Sequence, residues 1–260
     1  MIAVFKREFL SYFRTPVGWV AICLLGAISG YYFSGMLAYS MSYVNLAMEI
    51  NYLRTFFVIL IPIITMRLFS EEKKNGTEVL LYTMPYSMKG VVIGKFLAAF
   101  ALQFMMLISV FSHMIITVIC DGTINMATWG SIFGYLVLAA LFISVGMLTS
   151  ALTENQIMSA VVCFVIILIF ERMASIAESL SSIFKAFLKI TNLFGLSDAS
   201  IYNAGEAVRS GISWLDPYSK TSCYTSGVFK VIPIIYCLSF TALFMFITYR
   251  VLEKKRWSPN

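Results

Sequence analysis

The sequence contains one histidine, His113, and five cysteines, Cys23, Cys120, Cys163, Cys223 and Cys237. A covalent catalyst needs a nucleophile with a base in hydrogen-bond reach, and a structural metal needs ligands at short paired spacings. The cysteines are scattered, and Cys23, Cys163 and Cys237 fall inside apolar runs, so packing is favoured over metal chemistry. The fifteen methionines, a number that would suit copper if they were clustered, are equally dispersed and read as packing residues. His113 lies near the outer end of a long apolar stretch, where a neutral imidazole in a structural hydrogen bond is expected. Glu171 and Arg172 end another stretch and are expected to snorkel or pair. Gln103, Ser109, Thr117, Ser144 and Ser159 either line a path or join helices. There is no Gly-x-x-x-x-Gly-Lys-Ser/Thr loop to cradle nucleotide phosphates. Catalytic, cofactor and metal sites are therefore all expected to be absent from this chain.

The densest block of charge is Arg67-Leu-Phe-Ser-Glu71-Glu-Lys-Lys-Asn75-Gly-Thr77-Glu-Val-Leu-Leu-Tyr-Thr-Met-Pro85, flanked on both sides by runs long enough to cross a bilayer. Gly76 breaks the helix that leaves the membrane, Thr77 can cap a new short helix with Glu78 at its positive end, and Pro85 prevents its continuation. Val79, Leu80, Leu81, Tyr82 and Met84 make that helix too apolar to stand free, so it should lie on the membrane surface or against a partner. The plain alternative is an ordinary cytoplasmic loop. Glu71, Glu72 and Glu78 would orient a partner and Leu80, Leu81 and Tyr82 would anchor it.

The elements that hold this block are membrane spans. Hydrophobic residues make up 60% of the sequence and charged residues 12%, against about 25% charged in soluble domains. The 260 residues fit roughly six spans of about 20 residues in one all-α membrane domain. Residues 2–14 mix Lys6, Arg7 and Arg14 with aromatic and aliphatic side chains, predicting an interfacial helix, and the first apolar run after it is too long for a signal-peptide core and is expected to stay as a membrane anchor. The spans are expected near 17–40, 52–70, 91–119, 127–152, 156–171 and 231–251, with Met41–Leu53 as an outer connection, 71–89 as the charged loop and 172–229 as an external segment. Lys6, Arg7, Arg14, Arg67, Lys73, Lys74, Lys89, Lys95, Arg250, Lys254, Lys255 and Arg256 are twelve of nineteen basic residues, all on one side in this layout. The positive-inside rule then places both termini and the charged loop in the cytoplasm. The net charge of +6 sits at span ends, facing anionic lipid, and nucleic-acid binding is not expected.

The run Thr65-Met-Arg-Leu-Phe-Ser-Glu71-Glu-Lys-Lys-Asn-Gly76-Thr77-Glu-Val-Leu-Leu, followed by Pro85 and Gly94-Lys95, resembles the signature of permease subunits of type 2 ABC exporters. Leu152-Thr-Glu154-Asn155-Gln156 and the ending Phe246-Ile-Thr-Tyr-Arg250-Val-Leu-Glu253-Lys-Lys-Arg256-Trp257 resemble the branch of gliding-motility and copper-enzyme-maturation permeases. The resemblance implies a multi-pass permease of a prokaryotic plasma membrane, with an interfacial N-terminal helix and a coupling helix between spans two and three. That helix docks on a separate ATPase, present in two copies, which binds ATP and Mg. It further implies a second permease, taken here as a homodimer partner, and leaves room for an accessory membrane protein. Glu71, Glu72, Gly76, Thr77, Glu78, Leu80, Leu81 and Tyr82 are the expected coupling residues.

The resemblance also implies short re-entrant helices between spans five and six. In residues 172–229 the spacing of Ile176, Leu180, Ile183, Phe184, Phe187 and Leu188 predicts an amphipathic helix, and Gly205, Gly211 and Asp216-Pro217 allow a fold-back. Phe184, Phe187 and Trp214 are the expected external gate; a rigid lid fits the same residues. The rival classes are a stand-alone secondary transporter, disfavoured because no repeat is evident, and a membrane-embedded enzyme, disfavoured because no catalytic constellation is evident.

Overall fold

The computed structural model describes residues 1–39, 44–77, 87–191 and 197–257, which are helical with no strand among the described residues. In chain order the helices are α1 (Ile2–Arg14), α2 (Pro16–Tyr39), α3 (Leu46–Thr55), α4 (Phe57–Thr65), α5 (Ser70–Lys74), α6 (Met88–Met106) and α7 (Ile108–Ile119). They continue with α8 (Met126–Leu152), α9 (Gln156–Glu171), α10 (Met173–Thr191), α11 (Asp198–Ser213), α12 (Pro217–Thr221), a 3-10 turn (Ser222–Ser226) and α13 (Val231–Trp257). A bilayer core offers no hydrogen-bond partners, so a spanning backbone must satisfy itself within helices.

Four stretches are long and apolar enough to cross singly: Pro16–Ala38, Met88–Ile119, Met126–Leu152 and Val231–Lys254. Two more are bent pairs, α3 with α4 at 58° and α9 with α10 at 65°, each a broken span or a re-entrant loop, so the described residues hold four spans, or up to six if each pair counts as one. The expected outer connection over Met41–Leu53 is replaced from Leu46 onward by helix, which Asn45 caps through the Ala47 amide at 3.1 Å. Leu46, Ala47, Ile50 and Leu53 recur at helical spacing and are buried, which draws Glu49 and Arg54 inward with them.

The bundle is assembled around α8, which is apolar on all sides and buried along most of its length. Small residues let its neighbours approach closely. A Cβ on Gly146 would lie 2.2 Å from Thr65 Oγ1 of α4, and one on Gly130 would lie 2.5 Å from the Tyr224 carbonyl oxygen in the 3-10 turn. At its last turn α8 also closes α5. Ser150 Oγ accepts from the amides of Phe69 and Ser70 at 2.9 and 3.1 Å, while Lys73 Nζ donates to the carbonyls of Ala151 and of Thr153, the latter at 3.1 Å. The open amides of one helix and the open carbonyls of the other are thus satisfied by each other's side chains.

Beyond the α9 bend, α10 and α11 form a hairpin. Ser181 Oγ donates to the Gly205 carbonyl at 2.8 Å, and Lys185 and Arg209 pair with Glu206 and Glu178 at 2.8 and 3.1 Å. The expected amphipathic helix is present as α10, but Gly205 and Gly211, expected as breaks, lie inside the continuous α11, and of the expected breaks only Asp216-Pro217 falls between helices, at the start of α12. The hairpin's apolar residues Ile183 and Phe187 remain exposed.

Candidate functional site

The charged block is held by α1, α5 and α6. Lys95 belongs to the second turn of α6 and is only 1% exposed. Its ammonium lies 2.9 Å from Glu72 Oε1 and 3.3 Å from Glu8 Oε1, and it also donates to the Leu68 carbonyl. Arg7 reaches the same Glu72 oxygen at 3.1 Å and Glu8 at 2.7 Å. One lysine and one arginine therefore clamp two carboxylates from different helices, an arrangement in which each buried charge is compensated.

Beside it, Arg67 forms a two-pronged pair with Glu71, Nε to Oε2 at 2.8 Å and Nη2 to Oε1 at 2.9 Å, and donates through Nη1 to Thr15 at 2.8 Å. Planar forks of this kind fix orientation as well as charge. Tyr12, buried on α1, donates to the Ile64 carbonyl at 3.0 Å, so α1 is fastened to the end of α4 as well. Burial alone would raise the Glu8 carboxyl, but Lys95 and Arg7 outweigh it and hold the group below the usual glutamate range. A cavity of about 430 Å³ opens here, lined by Arg7, Arg14, Arg67, Glu71 and Glu72 among others.

Gly76 ends α5 with a φ of 66°, in the left-handed conformation that suits glycine after a helix. The Thr77 hydroxyl donates backward to the Glu72 carbonyl at 3.2 Å and its amide donates to the same oxygen at 2.9 Å, and the helix it was expected to cap lies outside the described residues. Glu78, Leu80, Leu81 and Tyr82, and with them the rest of the expected coupling helix up to Tyr86, lie outside the described residues. Glu71 and Glu72, expected as charges facing a partner, are each engaged within the chain.

The opposite ends of the spans carry two polar clusters. In the first, His113 Nδ1 lies 2.7 Å from Glu49 Oε1 and 3.3 Å from Ser29 Oγ, Ser29 donates to that carboxyl oxygen at 2.5 Å, and the imidazole stacks on Phe33 at 4.1 Å. The structural hydrogen bond expected of His113 is present, with a buried acid as its partner. Serine and glutamate meet the same ring nitrogen, so the imidazole cannot relay a proton between them through its two nitrogens as a hydrolytic triad requires. In the second cluster Arg54 of α3 reaches across to Thr221 and Tyr218 of α12. No group of three or more His, Cys, Asp or Glu residues suited to a metal occurs among the described residues.

Of the expected gate residues, Phe184 and Phe187 lie on α10 and Trp214 at the end of α11, where it packs edge-on against Tyr236 at 6.0 Å with Lys220 over its ring at 4.6 Å. Glu171 and Arg172 flank the α9–α10 break and make no ion pair among the described residues. Sequence reading missed Glu8 and placed Lys95 only in the topology count and in the family signature. The signal was present: Glu8 is the one acid among the bases of α1, and Lys95 is an ammonium placed inside an apolar run. A family model described as ABC-2 family transporter protein matches residues 22–206, well over half of the chain. No curated protein matches it.

Proposed function

The chain belongs to the ABC-2 transporter family, a membrane permease component of an ABC transporter, and from that premise we propose that the cradle of α1, α5 and α6 is where ATP-driven motion enters the membrane domain. The observation that carries this reading is Lys95, which joins the start of α6 to Glu72 of α5 and Glu8 of α1. A push on the segment between α5 and α6 would be passed to two spans and the interfacial helix together, because buried ion pairs resist being pulled apart. The ATPase and its bound ATP and Mg belong to a separate subunit in two copies, Leu80, Leu81 and Tyr82 supply its apolar anchors, and Glu71, Glu72, Gly76, Thr77 and Glu78 shape and orient the segment.

The same reading makes the working unit a homodimer of permeases that exports its cargo through the seam between two bundles, in the plasma membrane with both termini cytoplasmic. What supports a seam is that α8 fills the centre of the single bundle and leaves no wide passage there. The α10–α11 hairpin, with Phe184, Phe187 and Trp214, then gates release on the outer side. Replacing Leu80 and Leu81 together with polar residues tests the coupling role: the variant is expected to insert normally but lose the ATPase, and unchanged ATPase binding and transport would end it.

A further inference from the structure

Among the described residues Arg54 is a cation buried without a paired counter-ion. It is 2% exposed; its Nη2 donates to Thr221 Oγ1, its Nη1 donates to Asn51 Oδ1 at 3.3 Å, and its Nε meets no acceptor. The Tyr218 ring lies 5.6 Å from the guanidinium carbon, and Arg54 makes no ion pair among the described residues. A buried guanidinium left with neutral acceptors is under-compensated, and its planar fork is best matched by a carboxylate. One stands nearby. Asp216, 3% exposed, is within electrostatic reach of Arg54 but spends its carboxylate capping α12 through the Tyr218 amide at 2.9 Å.

We propose that Arg54 is a two-position latch between the broken second span and the outer segment, exchanging Thr221 for Asp216 as α12 shifts. The exchange needs an anchor and a hinge, and both are in place. Tyr218 donates to the Arg54 carbonyl at 3.3 Å, holding α12 against α3 while the guanidinium changes partners. Two residues on, Phe56 marks the 58° break between α3 and α4, and at the far end of the outer turn Gly227 adopts a φ of 74°. Because α3 leads through α4 into α5, a change in the bend at Arg54 is felt on the element that holds Glu71 and Glu72. The latch requires no assumption about what docks on that charged face.

The test uses the full chain in lipid nanodiscs, with the accessible cysteines Cys23, Cys120 and Cys223 replaced by serine and a trifluoromethyl label on Ser219→Cys, an exposed position of α12. Fluorine NMR reads the balance between the two positions as paired resonances or as the place of one averaged resonance. Asp216→Asn, which keeps a capping side chain, should favour the Thr221 position, and Thr221→Val should favour the Asp216 position, each changing the ratio at least about threefold and in opposite directions. Thr221→Ser keeps the hydroxyl and should leave the ratio as it is. A spectrum identical in all four proteins, or one that both Asp216→Asn and Thr221→Val move to the same side, overturns the latch.

Discussion

Lys95 Nζ stands 2.9 Å from Glu72 Oε1, across the gap between α6 and α5, with almost no water in contact with the lysine. At an exposed surface such a pair contributes little, but here each partner is costly to leave alone. Lys95→Met should therefore cost about 3 kcal/mol of stability, because Glu8 and Glu72 lose their shared cation. Lys95→Met combined with Glu72→Gln should cost less than the sum of the two single changes. Denaturant unfolding of the four proteins in the same detergent closes the cycle, and strict additivity would show that the pair is not coupled.

Acid should loosen α1 through Glu8. Its carboxyl is held below the ordinary glutamate range by Lys95 and Arg7, which outweigh burial, so the unfolded chain binds the proton more readily than the folded one. The stabilisation is complete above that range and is lost as pH falls through it towards the lower folded value. Thermal melting between pH 3 and 7 should show the wild type losing more stability at the acid end than Glu8→Gln does. Parallel curves for the two proteins would remove Glu8 from the acid response.

The contact of α8 with α4 depends on a missing side chain. Gly146→Ala places a Cβ against Thr65, whose hydroxyl also donates to the Ile61 carbonyl at 2.8 Å and is fully buried. Overpacking of this kind should cost about 2 kcal/mol. Thr65→Ala introduced together with Gly146→Ala should recover part of the loss, measured as a rise in melting temperature over the single glycine variant. No recovery would place the strain elsewhere.

Much of the fold was legible because the bilayer imposes it. Long apolar runs, basic span ends and the Gly76 stop all follow from the cost of burying polar backbone and charge. The two breaks were less visible. Nothing at Phe56 itself marks the bend, and Glu49 falls in the expected outer connection with Arg54 at its edge, because their partners, His113 and Thr221, are 64 and 167 residues further along the chain. Lys95 illustrates the same limit: its spacing within the span shows an intramembrane cation, but the Glu8 carboxylate it meets is 87 residues away and enters only through the docking of α1.

The central claim, that this permease works as a dimer driven by a separate ATPase through the charged cradle, is tested most directly by native mass measurement of the tagged full chain withdrawn from its own membranes in mild detergent. The expected particle contains two copies of this 29.2 kDa chain and two copies of an ABC ATPase, and it should lose the ATPase when Leu80 and Leu81 are made polar. A single permease that transports cargo with no ATPase attached would contradict the account.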